Sequence, residues 1–589
     1  MKILLVAVNA KYIHSNLAVF SLRAFAKRYR EQIKIVELTI NHSEEYILKE
    51  IYKEKADIIA FSCYIWNIDF VRRITQELRK VKRNAIIWYG GPEVSYDAVE
   101  CLTENKDLDG IMIGEGEQTF TELAGYYIDN NTSLEAIHGI AYKESARYRQ
   151  ESDAFVNSSK TGPENAIKIT PARETLELDA IPFPYEDMEY FKNRIIYYES
   201  SRGCPFSCSY CLSSIDRKVR LRSCELVKRE LKLFLEYKVP QVKFVDRTFN
   251  CNKKHAMDIW HFIKENDNGV TNFHFEISAD LLSEEEIAFL SELRPGLIQL
   301  EIGVQSTNSN TVNAIHRRMD FERLKTNVGR IKEAGNIHQH LDLIAGLPLE
   351  GYLSFEKSFQ DVYLLKPDQL QLGFLKVLKG SLMESESSRY GINYKSSPPY
   401  EVLYTDQMSY DDILKIKGIC EMVEVYYNSA QFSYSISFLE HFYSSPMKMY
   451  ESISDFYEKT EIMTIAHSRV KRYELLLDYF RDTIAQGEIA AEKEVLVSLF
   501  EELLVLDLYL REAMKSRPGF AHDNQMQGNI RELYSRYQKD RKTIHIEHFT
   551  YDVFAAAQTG EAIKCDRMVL FDYNDRDPLD KSAKLILLD

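Results

Sequence analysis

The chain has 589 residues, 45% of them hydrophobic and 28% charged, with a formal net charge of −15. That balance describes a globular protein too long for one core. It argues against a general nucleic-acid surface, which needs a basic stripe, and leaves room only for a local basic patch.

The opening run, Met1-Lys2-Ile3-Leu4-Leu5-Val6-Ala7-Val8, is short, is followed by Lys11, and reads as a first strand and not as a signal peptide. Further strands are expected at 33–38, 58–62, 85–89 and 110–113, with amphipathic helices such as 17–30 and 70–82 between them. Such alternation predicts a doubly wound α/β domain over residues 1–130 with a parallel sheet. Ligands of these sheets bind beyond the carboxyl ends of the strands. The distinctive residues fall at those ends: 9–16, with Asn9, Tyr12 and His14; 63–67, opening on Cys63; Gly90-Gly91-Pro92-Glu93; and Gly114-Glu115-Gly116-Glu117. Paired glycines allow backbone to approach a bulky ligand, although they also make tight turns.

Residues 131–190 are polar and rich in turn formers, and read as a linker with a small hairpin near 136–142. Ser158-Ser159-Lys160-Thr161-Gly162-Pro163 reads as an exposed loop, and Ile181-Pro182-Phe183-Pro184 as stiff and extended.

Next comes Ser200-Ser201-Arg202-Gly203-Cys204-Pro205-Phe206-Ser207-Cys208-Ser209-Tyr210-Cys211, with thiols at Cys204, Cys208 and Cys211. A structural zinc site wants four protein ligands, and the next cysteine is Cys224. A [4Fe–4S] cluster held by three cysteines keeps one iron open for an exogenous ligand. The nine cysteines are otherwise scattered, which is no disulfide framework and fits a reducing, cytoplasmic setting.

The βα rhythm then continues, with strands expected at 195–199, 241–245, 272–277, 297–302, 338–344 and 370–374. Helices are expected at 224–237, 254–265, 283–293 and 321–334. Six such units make a partial (β/α)6 barrel over 191–380, with chemistry at the strand ends. Beyond it, 381–589 reads as a mostly helical C-terminal domain, with helices at 410–427, 438–451, 470–484, 491–516 and 530–539 and paired strands at 543–553 and 566–573. The apolar run 495–510 carries Glu501, Glu502 and Asp507, which makes it a buried helix and not a membrane span. His545-Ile546-Glu547-His548 puts its histidines on opposite faces of a strand and reads as a surface strand.

The C-x3-C-x2-C loop resembles the signature of the radical S-adenosylmethionine (SAM) family, whose open iron chelates SAM. The later strand ends are similar to that family's in order. Val245-Asp246-Arg247-Thr248-Phe249-Asn250 resembles its Asp-x-x-Phe loop, and Glu276 ends the next strand. Glu301-Ile302-Gly303-Val304-Gln305-Ser306 is similar to its SAM-contact segment, and Gly346-Leu347-Pro348 to its adenine loop. The resemblance implies that these residues contact SAM.

With a glycine-bearing α/β domain upstream, the chain resembles the subfamily that also binds cobalamin and carries an uncharacterised C-terminal domain. The resemblance implies a corrin at Asn9, Tyr12, His14, Cys63, Gly90, Gly91, Glu93, Gly114 and Glu115. It departs from the older Asp-x-His-x-x-Gly pattern, because His14 has neither the Asp before it nor the Gly after it. A corrin with its own base displaced and no histidine beneath cobalt is therefore expected. The resemblance also implies one-electron cleavage of SAM to a 5′-deoxyadenosyl radical, and methylcobalamin as methyl donor. The expected activity is methylation of an unactivated carbon, or phosphorus, of a small-molecule or peptide substrate, served by a flavodoxin- or ferredoxin-type electron donor. Alternatives are a radical rearrangement, cyclisation or oxidation, or a non-catalytic cofactor sensor, which would have no need of a SAM pocket.

Overall fold

A computed structural model describes residues 1–144, 166–484, 490–521, 533–534 and 543–588. It divides into two compact units. The first comprises Met1–Leu282, Asn313–Arg318 and Leu375–Leu403; the second comprises Ser283–Val312, Met319–Phe374 and Tyr404–Asp589.

The first unit opens with β1 (Ile3–Asn9), β2 (Ile33–Thr39), β3 (Ile58–Ser62), β4 (Ile86–Gly90) and β5 (Gly110–Met112). They lie in the order β2-β1-β3-β4-β5 and run parallel. Every residue of β1 is buried, as expected of a strand covered on both faces. Its side chains alternate between two cores: Leu4, Val6 and Val8 join one, and Ile3, Leu5 and Ala7 the other. The helix Ile68–Val81 shows how the faces are covered, burying Val71, Ile74, Thr75 and Leu78 at three- and four-residue spacing. Ile3 pairs with both Ile33 and Ile58, so neighbouring strands start level and their carboxyl ends share one edge.

Two expectations are corrected here. The helix expected over 17–30 is α-helical only at Leu17–Phe25 and tightens into a 3₁₀ segment at Lys27–Gln32. The hairpin expected near 136–142 is absent; β6 (Ile140–Lys143) joins the parallel sheet antiparallel to β5, and β7 (Ile167–Ile169) adds antiparallel to β6. The sheet is therefore mixed and seven-stranded, and part of 131–190 belongs to it. The loop expected at 158–163 lies outside the described residues.

Beyond that sheet, β8 (Ile196–Tyr198) leads into the cysteine loop, framed by the short antiparallel pair β9 (Ser201–Arg202) and β10 (Arg220–Leu221). Then β11 (Gln241–Phe244) lies parallel between β8 and β12 (Asn272–Ile277). The helices Cys224–Glu236 and Lys253–Glu265 intervene.

In the second unit β13 (Ile298–Gln305), β14 (His338–Ala345) and β15 (Gln369–Phe374) are parallel, with the helices Phe321–Ala334 and Tyr352–Tyr363 between them. Ile298, Leu300, Ile302 and Val304 are buried, while Gln299, Glu301, Gly303 and Gln305 alternate with them on the less buried face. One face of these strands is thus apolar and the other polar.

After the pair β16 (Asn393–Tyr394) and β17 (Val402–Tyr404), the chain is mainly helical. The single helix expected over 438–451 is two, Ser433–Glu440 and Pro446–Lys459. Ser445 caps the second by accepting from Lys448 N, and Pro446 takes the first helical position, where its missing N–H costs nothing. A three-stranded antiparallel sheet follows: β18 (Ile544–Tyr551), β19 (Lys564–Arg576) and β20 (Ala583–Leu588). β18 is no surface strand. Glu547 is 2% exposed and accepts from Arg517 at 2.8 Å and from His545 at 2.9 Å. The helix expected over 530–539 lies outside the described residues apart from 533–534. Among the described residues no helix is long and apolar enough to cross a membrane.

Candidate functional site

At the carboxyl edge of the first sheet, Gly91 has a φ of 121°, and a Cβ there would lie 2.4 Å from the Cys63 carbonyl oxygen. Only glycine fits. Beside it is a cavity of about 110 Å³, bordered by Ala60, Ser62, Tyr64, Gly90, Met112 and Gly114 among others. Bare glycine backbone and mostly apolar side chains make this a cradle for a flat, largely apolar group, which the base of a cobalamin would suit.

The polar residues expected at this edge are engaged by protein. Asn9 Nδ2 donates to the His14 carbonyl and to Glu37 Oε1, both at 3.0 Å. His14 Nδ1 hydrogen-bonds the Tyr197 hydroxyl at 2.7 Å. Burial, then Lys11 and Lys243, lowers the His14 pKa, which keeps the ring neutral near pH 7. The Tyr12 ring is exposed beneath the Arg194 guanidinium, which ion-pairs with Glu37 at 2.7 Å. Cys63 is fully buried, and burial raises its thiol pKa, so it is an inert thiol. Glu93 accepts from the Tyr400 hydroxyl, and Glu115 pairs with Arg220 and, at 3.3 Å, with Arg202. Gly90, Gly91 and Gly114 thus remain at the cavity, while the charged residues hold the surrounding loops.

The cysteine loop is fixed at both ends of its turn. Gly203 has a φ of 97°, and a Cβ there would meet the Lys218 carbonyl oxygen at 2.4 Å. Cys204 N donates to Asp216 O at 3.1 Å, and Cys211 N to Cys208 O at 3.1 Å. Ser209, fully buried, donates its N–H to Ile315 O at 2.9 Å and accepts from Met383 N at 2.8 Å. Cys204 and Cys208 are buried and Cys211 is partly exposed. That set suits a cluster with three protein ligands and one accessible iron. Cys224 is engaged elsewhere, 3.4 Å from His255 Nδ1. Burial, then Cys204, pushes the Cys251 thiol up to about 11.

Asp246 sits directly behind this loop. It accepts from Ser200 N at 2.9 Å and from the Ser200 and Ser201 hydroxyls at 2.6 Å. Burial nevertheless pushes its carboxyl up to about 6. It positions the chain entering the cysteines. Arg202, one residue before Gly203, donates to Glu199 at 2.7 Å and to Glu117 at 2.9 Å.

In the second unit the strand ends carry the other expected residues. Gly303 and Gln305 flank a β-bulge; Gln305 has a φ of 74° and a buried Oε1 without a partner among the described residues. Such an acceptor is available to a ligand's donor. Ser306 Oγ donates to Glu350 Oε1 at 2.7 Å, and Ser358 Oγ donates to the same oxygen at 3.0 Å. Gly346 has a φ of 81°, and Leu347 beside Pro348 is fully buried. Glu301, His340 and Asp342 place their ligand atoms within 4.8 Å of one another on the polar face, with His340 Nε2 2.9 Å from Asp342 Oδ1. They could hold a cation or the hydroxyl and ammonium groups of a ligand. Glu276, at the end of β12 in the first unit, is likewise only partly buried.

Sequence reasoning did not single out Glu350, Arg317, Lys379 or Tyr400. Glu350 stands two residues after Pro348, a signal that was available. The other three reach the loops only through tertiary folding.

Family models match in three places. One described as B12 binding domain covers residues 3–124, one as Radical SAM superfamily covers 198–362, and one as Protein of unknown function (DUF4080) covers 388–571. An uncharacterized methyltransferase of Pyrococcus horikoshii is 29% identical over 249 residues, 40% of this chain and 50% of that protein. TokK of Streptomyces tokunonensis, a cobalamin-dependent radical SAM methyltransferase, is 23% identical over 356 residues, 56% of this chain and 49% of that protein. The chain thus spans about half the length of these curated relatives. Among solved structures, the cobalamin-dependent S-adenosylmethionine radical enzyme OxsB superposes with a TM-score of 0.58 at 16% identity, covering 92% of this chain and 83% of that one. At that identity the likeness shows the fold: an N-terminal doubly wound domain, a partial (β/α)6 barrel and a mostly helical C-terminal region. The chain thus carries, in order, a B12-binding domain, a radical SAM domain and a C-terminal domain of unknown function, and its cofactors are a [4Fe–4S] cluster, SAM and cobalamin.

Proposed function

We propose that this protein is a methyltransferase acting on an unactivated carbon, or on phosphorus, of a small-molecule or peptide substrate. One observation carries the reading. The three-cysteine loop and the glycine-bearing strand ends lie in a single compact unit, where Arg202 and Arg220 on either side of the loop pair with Glu115 and Glu117. Two cofactor regions tied by ion pairs suit a reaction that uses both. When bound, the cofactors supply a hydrogen-abstracting radical and a methyl group, while the protein orients the substrate and excludes water. Cys204, Cys208 and Cys211 would hold the cluster, with Asp246 positioning their loop. Gly303, Gln305, Ser306 and Gly346 would line SAM, with Glu301, His340 and Asp342 on the polar face open to ribose or substrate hydroxyls. Gly90, Gly91 and Gly114 would cradle the corrin's base, and His14, bonded to Tyr197, would not ligate cobalt. A low-potential donor of the flavodoxin or ferredoxin kind would reduce the cluster.

Product stoichiometry tests the reading. Each methyl transfer consumes SAM twice, giving one S-adenosylhomocysteine and one 5′-deoxyadenosine, so substrate should raise both products in about equal amounts. A rise in 5′-deoxyadenosine with flat S-adenosylhomocysteine would replace methyl transfer with a rearrangement, cyclisation or oxidation.

A further inference from the structure

Residues Asn313–Arg318 follow a strand of the second unit but belong to the first. Their docking is specific. Ile315 is fully buried, and its carbonyl accepts from Ser209 N inside the cysteine loop. His316 then adopts a left-handed conformation, φ 54°, and the next residue is Arg317. The Arg317 guanidinium lies against the cysteine loop, its Nη1 3.5 Å from the hydroxyl of Tyr210, which lies between Cys208 and Cys211 in the chain, and its charge acts on the Cys208 sulfur. A permanent cation is therefore set against one of the three thiols that would ligate the cluster, on a backbone already pinned to that loop. The Cys204 sulfur has a weaker and neutral neighbour, the Thr248 hydroxyl at 3.6 Å.

We propose that Arg317 sets the reduction potential of the cluster, favouring the reduced state through its charge beside Cys208. The inference rests on the cluster assignment above. A cluster with three thiolate ligands is negatively charged, and reduction adds one further negative charge. A fixed cation beside the ligand sulfur stabilises the more negative state by the larger amount. The step is a one-electron transfer from a low-potential donor to the cluster, in which no bond forms or breaks. Arginine suits the role because it stays charged where a lysine would be prone to lose its proton.

The test uses the full chain, anaerobically reconstituted with iron and sulfide, as wild type, Arg317→Met and Arg317→Lys. Titanium(III) citrate serves as reductant, and the reduced cluster is followed by EPR in a potentiometric titration. Arg317→Met should make reduction at least tenfold less favourable, a downward shift of about 59 mV or more for one electron. Arg317→Lys should fall between. Equal midpoints in wild type and Arg317→Met at equal iron content would overturn the inference. Loss of iron from both variants would also overturn it, by making Arg317 a residue of loop assembly. Failure of the wild type itself to hold a cluster would instead defeat the cofactor reading on which the inference depends.

Discussion

A fully buried carboxyl whose hydrogen bonds come from hydroxyls is pushed toward its neutral form, and Glu350 is such a group. It accepts from Ser306 and Ser358, yet burial pushes its pKa up to about 7, and its second oxygen is buried without a partner among the described residues. The folded state therefore holds this proton more tightly than the unfolded chain does. Its stabilising effect is complete below the ordinary carboxylate range and is lost as pH rises through about 7. The amount is of order 3 kcal/mol at most, from about 1.4 kcal/mol per pKa unit. Glu350→Gln keeps the shape and cannot ionise, so urea denaturation at pH 5.5 and 8.5 should show a larger fall in stability for the wild type than for the variant. Asp246 and Asp507, both pushed up to about 6 by burial, act in the same direction in both proteins, so the difference isolates Glu350. Identical pH slopes would show that the carboxyl ionises freely. Ser306 was legible in the sequence because it closes a Gly-Val-Gln-Ser segment. The shift at Glu350 was not, because composition does not reveal how completely a glutamate will be enclosed.

Among the elements, the helix Ser433–Glu440 begins at Phe432, a residue with no side-chain cap. Its first amides are met from another helix: Asp507, within Ala490–Arg511, accepts from Tyr434 N at 3.0 Å, Ser435 N at 2.8 Å and Ser435 Oγ at 2.7 Å. A carboxylate at a helix N-terminus also faces the favourable end of the helix dipole. Asp507→Ala leaves buried donors unpaired and should cost about 2–3 kcal/mol, with Asp507→Asn costing less. The urea midpoint should fall with an unchanged slope, and an unaltered midpoint in Asp507→Ala would rule out the capping role. The sequence marked Asp507 as a buried helical acid by its place in an apolar run, but its partner helix lies more than seventy positions upstream. The same limit explains the other element-level differences. Strands with a strong apolar period, such as β1, β3 and β12, fell where the pattern put them. β6 and β7 are four and three residues long, and the pairing of β6 on β5 and of β7 on β6 is decided by the sheet edge available to each. The break before Pro446 was readable from Ser445-Pro446, a cap followed by a helix-starting proline, and aromatic periodicity obscured it.

At the scale of the whole molecule, the chain returns to its beginning. The segment Leu375–Leu403 belongs to the first unit, and there it clamps the loop that follows β4. Lys379 pairs with Asp97, and the Tyr400 hydroxyl donates to Glu93, across sequence separations of 282 and 307 residues. Between them Gly380 lies against the Tyr96 ring so closely that a Cβ would come within 2.4 Å of it. The clamped loop begins with Gly90 and Gly91, the glycines that border the cavity, so a late segment of the chain holds the edge expected to carry the corrin. Lys379→Met together with Tyr400→Phe removes both polar ties while keeping most of the buried area. Each tie contributes on the order of 1–3 kcal/mol, and about 1.4 kcal/mol is a factor of ten in local opening. Amides of the helix Ala98–Glu104 and of residues 91–97 should therefore exchange with deuterium at least about tenfold faster, while those of β1 and β3 keep their protection. Uniform loss of protection across the sheet would mean that the segment supports the whole unit. Unchanged exchange at 91–104 would mean that the loop holds its shape alone, through the Gly91 turn against Cys63, and that the returning segment merely rests upon it.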